Sequence, residues 1–276
     1  MEQSMASEIT IAVNGALGKM GSTVLTAAAI EPGVRPIGGV DIAASSSSTV
    51  VSGTTISVPL TRNLTDLFKI VKPDVVVDFT NGEAAKSAII TCIDAGVRVV
   101  SGSTGLAPDD LEEIARLSSL NQVGVISASN FALGAVVLIH LAGIASKYFD
   151  YADLLESHHE AKVDAPSGTA LSIAESMIEG RGSGFEHNVV ESEILKGTRG
   201  GDFEGINVHS ARMPGRVARH EVVFGALGQT LTMIHDSINR ESFMPGVMVA
   251  VKRVGESDEF VIGLASVLGL DKLNTQ

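Results

Sequence analysis

Cysteine is nearly absent: Cys92 is the only one in 276 residues. No disulfide can close within the chain, and no cysteine-built zinc site can form. The thiol falls in a helical pattern, Lys86 to Ala95, where a buried, inert side chain is expected. Positive charge is also short. Twenty Lys and Arg face thirty-two Asp and Glu, a formal net charge of −12, so the long-range field repels polyanions and anionic membrane surfaces. A general nucleic-acid or membrane-surface partner is excluded on that ground, and an anionic substrate would need a local knot of cations and backbone N–H groups. Tryptophan is missing and aromatics are 4% of the chain, but 45% apolar against 19% charged residues is a globular balance. Long apolar runs are missing too. Phe131 to Ala145 approaches a membrane span, yet it contains His140 and is followed by Ser146 and Lys147, and reads as a buried helix. The segment Met1 to Glu8 carries acids and no apolar core, so no secretory signal and a cytoplasmic protein are expected.

What is present is an alternation of short β-branched runs with helical patterns through the first half. Ile9 to Val13, Pro36 to Val40, Asp74 to Phe79, Val97 to Val100 and Val123 to Ile126 read as strands buried on both faces. Helices are expected at Lys19 to Ile30, Leu64 to Val71, Glu83 to Ala95 and Pro108 to Leu120, the last opened by Pro108, Asp109 and Asp110. Ala43 to Ser52 reads as a loop. After residue 131 the pattern changes: Asp153 to Ser157, Val189 to Leu195, Gly205 to Met213, Ala218 to Gly225 and Gln229 to His235 read as strands with one helix among them, Thr169 to Ile178. A last helix is expected from Ser242 to Val254, and Val261 to Val267 reads as a further strand. The fold class is therefore α/β: a Rossmann-type parallel sheet plus a central α+β domain with a mixed, largely antiparallel sheet. The domain reading is 1–130 rejoined by 240–276 for nucleotide binding, and 131–239 for substrate.

The run Asn14-Gly15-Ala16-Leu17-Gly18-Lys19-Met20-Gly21 follows the first strand and opens the first helix, where a dinucleotide-binding turn belongs. Its GxxGxxG spacing departs from the commoner GxGxxG. Gly15 permits the turn, Gly18 lets the backbone approach a pyrophosphate, and Gly21 lets the helix pack closely. Asp41 ends the second strand 20 residues past Gly21, where an acid can accept from adenosine ribose hydroxyls, a feature that favours NAD. Ile42 brings no charge for a 2′-phosphate, although Lys19 could, so NADH and NADPH both remain open. Two further turns, Phe79-Thr80-Asn81 and Ser101-Gly102-Ser103-Thr104-Gly105, end strands on the same sheet edge. Gly102 and Gly105 would admit backbone close to the nicotinamide ribose, with Ser103 and Thr104 as small donors.

The most informative stretch is Glu156-Ser157-His158-His159-Glu160-Ala161-Lys162-Val163-Asp164-Ala165-Pro166-Ser167-Gly168-Thr169. His158 and Lys162 differ by four, which places them on one face of either a strand or a helix. Pro166 to Thr169 begins a helix whose unpaired N–H groups and hydroxyls suit a carboxylate. Adjacent histidines can hardly chelate one ion from a regular element, and no metal is expected. Beside a dinucleotide, His158 has a plain role as an acid, because hydride addition to a C=C–C=N group leaves an enamine that must be protonated.

These residues resemble the 4-hydroxy-tetrahydrodipicolinate (dihydrodipicolinate) reductase family of the diaminopimelate route to lysine. The resemblance spans nearly the whole chain: the Gly15 to Gly21 loop, Asp78-Phe79-Thr80, the Gly102-Ser103-Thr104-Gly105 turn, Ala128-Ser129-Asn130-Phe131, and the H-H-x-x-K-x-D-x-P-S-G-T-A string from His158 to Ala170. It implies an NAD(P)H-dependent oxidoreductase acting on a small dicarboxylate, with His158 as general acid and Lys162 as a second proton donor. His159, Gly168 and Thr169 would bind the substrate carboxylates. Gly15, Ala16, Leu17, Gly18, Lys19, Met20, Asp41, Gly102, Ser103, Thr104, Ala128, Ser129, Asn130 and Phe131 would hold NADPH or NADH. A homotetramer built through the central sheet is implied as well. The chain departs from the family pattern at Ile42, where many members carry Arg, and at Asn81, where a charged residue is common. Two rival readings belong to other classes. A sugar or polyol dehydrogenase would show a Glu-Lys-Pro that is missing here, and a non-catalytic NAD(H)-sensing regulator would need basic surface that the composition withholds. The reductase reading requires the His158 to Thr169 stretch to face the nicotinamide end of the nucleotide.

Overall fold

A computed structural model describes residues 8–187 and 189–271. The segment read for a secretory signal lies almost entirely outside them. The chain divides into two compact units, one of residues through Phe131 together with Phe243–Gly269, the other centred on Ala132–Ser242.

The first unit runs β1 (Ile9–Asn14), α1 (Lys19–Ile30), β2 (Val34–Val40), β3 (Ser48–Val50), β4 (Ser57–Thr61), α2 (Leu64–Phe68), β5 (Val75–Asp78), α3 (Gly82–Asp94), β6 (Arg98–Ser101), α4 (Pro108–Asn121) and β7 (Val125–Ser127). The second unit follows with α5 (Leu133–Ala145), β8 (Tyr151–His158), α6 (Gly168–Arg181), β9 (Gly201–Phe203), β10 (Ile206–Arg212), β11 (Ala218–Ala226) and β12 (Gln229–Ser237). The chain then returns to the first unit as α7 (Met244–Gly255), β13 (Phe260–Ile262) and α8 (Leu264–Val267).

The first sheet has the order β13-β7-β6-β5-β1-β2-β4-β3 and is parallel except for β3 against β4. Its central strands are Val- and Ile-rich and buried throughout, as strands covered on both faces must be. Leu67, Ile89 and Ile114 of α2, α3 and α4 pack on Ala12, Val76 and Val99, while α1 and α7 pack on each other and on the strands. Helix starts are set by local chemistry. Asn63 and Asn81 accept the N–H groups of Asp66 at 2.8 Å and Ala84 at 3.2 Å. Pro108 stands at the first turn of α4, whose Asp110 carboxylate accepts the Ala107 N–H at 3.0 Å. Cys92 is fully buried, and burial pushes its thiol far up. That is the inert thiol expected.

The second sheet has the order β12-β11-β8-β10-β9, with β8 and β10 parallel and the other pairs antiparallel. Along β8 the burial alternates, with Ala152, Leu154, Glu156 and His158 inward. Leu154 and Phe224 meet Ile173 and Met177 of α6 there. The last two inward positions of β8 are thus polar, where the apolar core gives way to a site.

Three expectations are corrected. Val189 to Leu195 is not a strand. Val189, Ile194 and Leu195 are exposed, and the chain turns because the Glu193 carboxylate accepts the N–H of Gly197 at 2.9 Å. Val261 to Val267 supplies only the short β13, since Gly263 adopts φ 81° and α8 begins after it. Ala43 to Ser52 contains β3, an edge strand against β4, and neither was anticipated.

Candidate active site

The C-terminal edge of the first sheet carries a cleft of about 580 Å³ lined by Gly15, Gly18, Asp41, Ile42, Arg62 and Thr80, among others. Gly15 adopts φ 82°, and a Cβ there would meet the Phe79 carbonyl at 2.8 Å. A Cβ on Gly21 would lie 2.0 Å from the Gly15 carbonyl, so α1 can start against the turn only with glycine at that position. At Gly18 a Cβ would meet only the Gly15 carbonyl, at 3.2 Å, leaving that backbone open to a ligand. The N–H groups of Gly15 and Ala16 both reach the Val40 carbonyl, and that of Gly18 reaches Gly15. The N–H groups of Lys19, Met20 and Gly21 have no acceptor among the described residues. A turn held by its own bonds and a helix start with donors left over form a cradle suited to a pyrophosphate.

Asp41 has a role that spacing did not suggest. One carboxylate oxygen accepts the Leu17 N–H at 2.9 Å and the other accepts that of Ala43 at 3.0 Å. Among the described residues, Asp41 and Arg62 are the only charged ones that line the cleft. Lys19 is exposed and outside that lining, whereas Arg62 lies within it.

Beneath the edge lies Asp78, 0% exposed. Its carboxyl group accepts from Asn14 Nδ2 at 2.8 Å, Thr80 Oγ1 at 2.9 Å, Ser101 Oγ at 3.1 Å and Ser103 Oγ at 2.7 Å. These bonds tie together the ends of β1, β5 and β6. The expectation for Ser103 is accordingly revised: its hydroxyl proton goes to Asp78, and its oxygen accepts the Thr80 N–H at 2.8 Å. Gly102 is needed for another reason than coenzyme approach, because a Cβ there would lie 2.1 Å from the Phe79 ring. Phe79 in turn meets Phe131 edge to face at 6.0 Å. Ala128 follows β7 with its N–H on the Ser101 carbonyl, while Ser129 and Thr104 are exposed at the edge and Asn130 is half-buried.

In the second unit the candidate acid stands at the end of β8. His158 is 8% exposed, and its Nδ1 lies 2.5 Å from Glu156 Oε2. Glu156 is 3% exposed and receives both terminal nitrogens of Arg212, at 2.9 and 2.8 Å. The Ser167 N–H also donates to Glu156, at 3.3 Å. Strand register assembles this group, since β10 sets Arg212 beside His158 and β11 sets His220 beside Glu156. Burial by itself would raise the Glu156 carboxyl, but the bonds from Arg212, Ser210 and His158 outweigh it and hold it below the usual range. A carboxylate only accepts, so Nδ1 carries hydrogen and Nε2 is the nitrogen free to exchange a proton. Burial is the chief influence lowering His158 below its ordinary value, aided by the charges of Lys162 and Arg212 and opposed by Glu156.

The expected shared face of His158 and Lys162 is corrected. The strand stops at His158, and a turn follows in which the Lys162 N–H reaches the His159 carbonyl at 3.2 Å. Even spacing therefore does not govern the pair. The Lys162 ammonium is held by Asp164 at 2.7 Å, and Arg212 also donates to the Asp164 carbonyl at 2.6 Å. His159 is exposed while His158 is buried, so adjacent histidines diverge. Ser167 caps α6, accepting the Ala170 N–H at 3.2 Å. A Cβ on Gly168 would meet nothing within 4 Å, which leaves room beside the half-buried Thr169 for a small anion. Behind the acid lies His220, its ring 5.3 Å from that of His158 and its Nε2 3.2 Å from Ser167 Oγ.

Sequence reasoning missed Glu156, Arg212, His220 and Arg62. Glu156 carried a usable signal, two residues before His158 in a strand. The others depend on pairing between distant segments.

Two family profiles match the chain, "Dihydrodipicolinate reductase, N-terminus" over residues 9–131 and "Dihydrodipicolinate reductase, C-terminus" over residues 134–268. A 4-hydroxy-tetrahydrodipicolinate reductase of Dehalococcoides mccartyi strain CBDB1 is 44% identical, covering 95% of this chain and 99% of its own length. A protein of the same name from Listeria monocytogenes serotype 4b is 38% identical over 94% of this chain and 99% of its own. Among solved structures, a dipicolinate-bound dihydrodipicolinate reductase from Paenisporosarcina sp. TG-14 superposes with a TM-score of 0.84 at 36% identity, covering 94% of this chain and 98% of that one. An amine dehydrogenase from Mycobacterium smegmatis, 14% identical with a TM-score of 0.66, shares the fold alone.

Proposed function

The chain belongs to the dihydrodipicolinate reductase family and is an NAD(P)H-dependent oxidoreductase, and from that premise we propose how its residues carry the reduction of 4-hydroxy-tetrahydrodipicolinate, by way of dihydrodipicolinate, to tetrahydrodipicolinate. The product feeds lysine through diaminopimelate. NADH or NADPH supplies the hydride when bound. Gly15 to Met20 and Asp41 hold the nucleotide from the glycine turn and ribose side, with Gly102 to Thr104 and Ala128 to Phe131 along the remaining sheet edge. Residues 1–130 and 240–276 form the nucleotide domain in this reading, and 131–239 the substrate domain.

The observation that carries the acid assignment is the His158 Nδ1 to Glu156 contact of 2.5 Å within a buried pair. Glu156 fixes the ring so that Nε2 delivers the proton to the enamine carbon left by hydride addition. Because burial lowers His158, the ring resists holding the proton it must deliver until a dianion arrives. His159, the Gly168 N–H and Thr169 receive one substrate carboxylate, and the added negative charge draws a proton onto Nε2. Lys162, steadied by Asp164, is the second donor and meets the other carboxylate.

Feeding the aldolase product of pyruvate and aspartate semialdehyde, and following NADH and NADPH absorbance, tests the reaction; constant absorbance with both coenzymes would end it. His158→Gln should lower kcat by about 10²- to 10⁴-fold, and an unchanged rate would remove His158 from the chemistry. A homotetramer is part of the same reading. Its support is the outward face of the second sheet, where Tyr151, Leu155 and Ile234 are exposed, and light scattering that finds a monomer would refute it. A cytoplasmic site of action is proposed from the pathway; among the described residues no helix is long and apolar enough to cross a membrane.

A further inference from the structure

We infer that Arg62, at the end of β4, is the residue that receives the 2′-phosphate of NADPH, so that this chain accepts the phosphorylated coenzyme from a different strand than the one bearing its ribose acid. The inference rests on the reductase reading and adds the specificity of its coenzyme cleft.

Strand register supplies the first observation. β2 and β4 are parallel neighbours with Val40 opposite Thr61, and the Asp41 N–H donates to the Thr61 carbonyl at 2.9 Å. The next residue on each strand is therefore Asp41 on one and Arg62 on the other, side by side on the edge where nucleotides bind. Both line the cleft, and they are its only charged residues among those described.

The second observation concerns what each charge already does. Asp41 spends its two oxygens on the N–H groups of Leu17 and Ala43, which turns the acid toward the glycine loop and blunts its repulsion of a neighbouring anion. Arg62 has no hydrogen bond or ion pair among the described residues. Its nearest acidic neighbour in sequence, Asp66, is taken by Lys69 at 2.7 Å and by Asn63 at 2.9 Å. An unpaired guanidinium beside the adenosine end has the planar donor fork that matches a phosphate. Ile42, 81% exposed in the same lining, adds no competing charge.

The test is direct binding. Wild-type protein, Arg62→Ala and Arg62→Lys are titrated with NADPH, NADH, adenosine 2′-monophosphate and adenosine 5′-monophosphate, with heat or nicotinamide fluorescence as the readout. Arg62→Ala should weaken NADPH and the 2′-monophosphate by about 10- to 100-fold, and leave NADH and the 5′-monophosphate within about twofold. Arg62→Lys should fall between, because a point charge keeps attraction but loses the fork. Added salt should erode the wild-type preference for the 2′-phosphate and leave Arg62→Ala flat. Equal losses for both coenzymes, or an unchanged NADPH affinity, would overturn the inference while leaving the reductase reading intact. Failure of the wild type to bind either coenzyme would instead remove the reading beneath it.

Discussion

Asp78 and Glu156 are both buried acids, one in each unit, and they serve opposite ends. Asp78 gathers four neutral donors from three strand ends, and its work is to keep an edge in shape. Glu156 gathers a guanidinium and an imidazole, and in the proposed mechanism its work is to set which nitrogen of His158 moves a proton. The lesson is that burial of a carboxyl does not announce catalysis; the charge and mobility of its donors do. The cleft of the first unit is built from backbone, with glycines and free helix-start N–H groups at its base. The central unit is built from side chains brought together by strand register.

The contrast breaks most easily at Glu156. Glu156→Gln should lower kcat by roughly 10²-fold, since the ring loses the partner that orients it and favours its protonated form. The alkaline limb of the pH–rate profile should also move to lower pH, a readout that a merely structural loss would not shift; an unmoved limb would place Glu156 with Asp78. Asp78→Asn should show the reverse balance. It sets new N–H donors among existing ones, and at about 1–3 kcal/mol for each group left unsatisfied the first transition in a thermal melt should fall by several degrees while the pH profile keeps its shape.

A finer distinction lies in His220. Burial is the main cause lowering it to about 4, against an unfolded value near 6.5. The unfolded chain binds the extra proton between those values, so this group's stabilisation is complete above about pH 6.5 and drains away as pH falls toward 4. The loss amounts to roughly 3 kcal/mol at most, and His220→Gln should flatten that part of a stability–pH curve. An equally steep curve in the variant would assign the loss elsewhere. The smallest effect is a displacement of limbs. If His158 must be protonated to act, as proposed, kcat/KM reports it in the free enzyme and kcat in the loaded one, so the alkaline limb of kcat should lie at higher pH. Coincident limbs would deny the substrate any part in protonating the ring.

The same contrast explains what could be read from the chain alone. The strand, Gly15 to Gly21 turn and α1 are contiguous, and their meaning survives without knowledge of any other segment. The His158 to Thr169 string is contiguous too, although its geometry was misjudged because the strand ends at His158. Arg212 and His220 reach Glu156 only through pairing across more than fifty residues, which no local pattern encodes. Val189 to Leu195 failed for a related reason: apolar residues make a strand only where a partner edge accepts them, and Glu193 instead folds the segment back on Gly197.

The bond from Leu17 to Asp41 bears on anyone who would retune this protein. Asp41, the acid assigned to the ribose in the proposed reading, is also a brace for the glycine turn. On that reading, replacing it loosens the grip on either cofactor before it alters the choice between them. If Arg62 receives the 2′-phosphate as inferred, the neighbouring strand offers the cleaner dial, because Arg62 has no hydrogen bond to the turn.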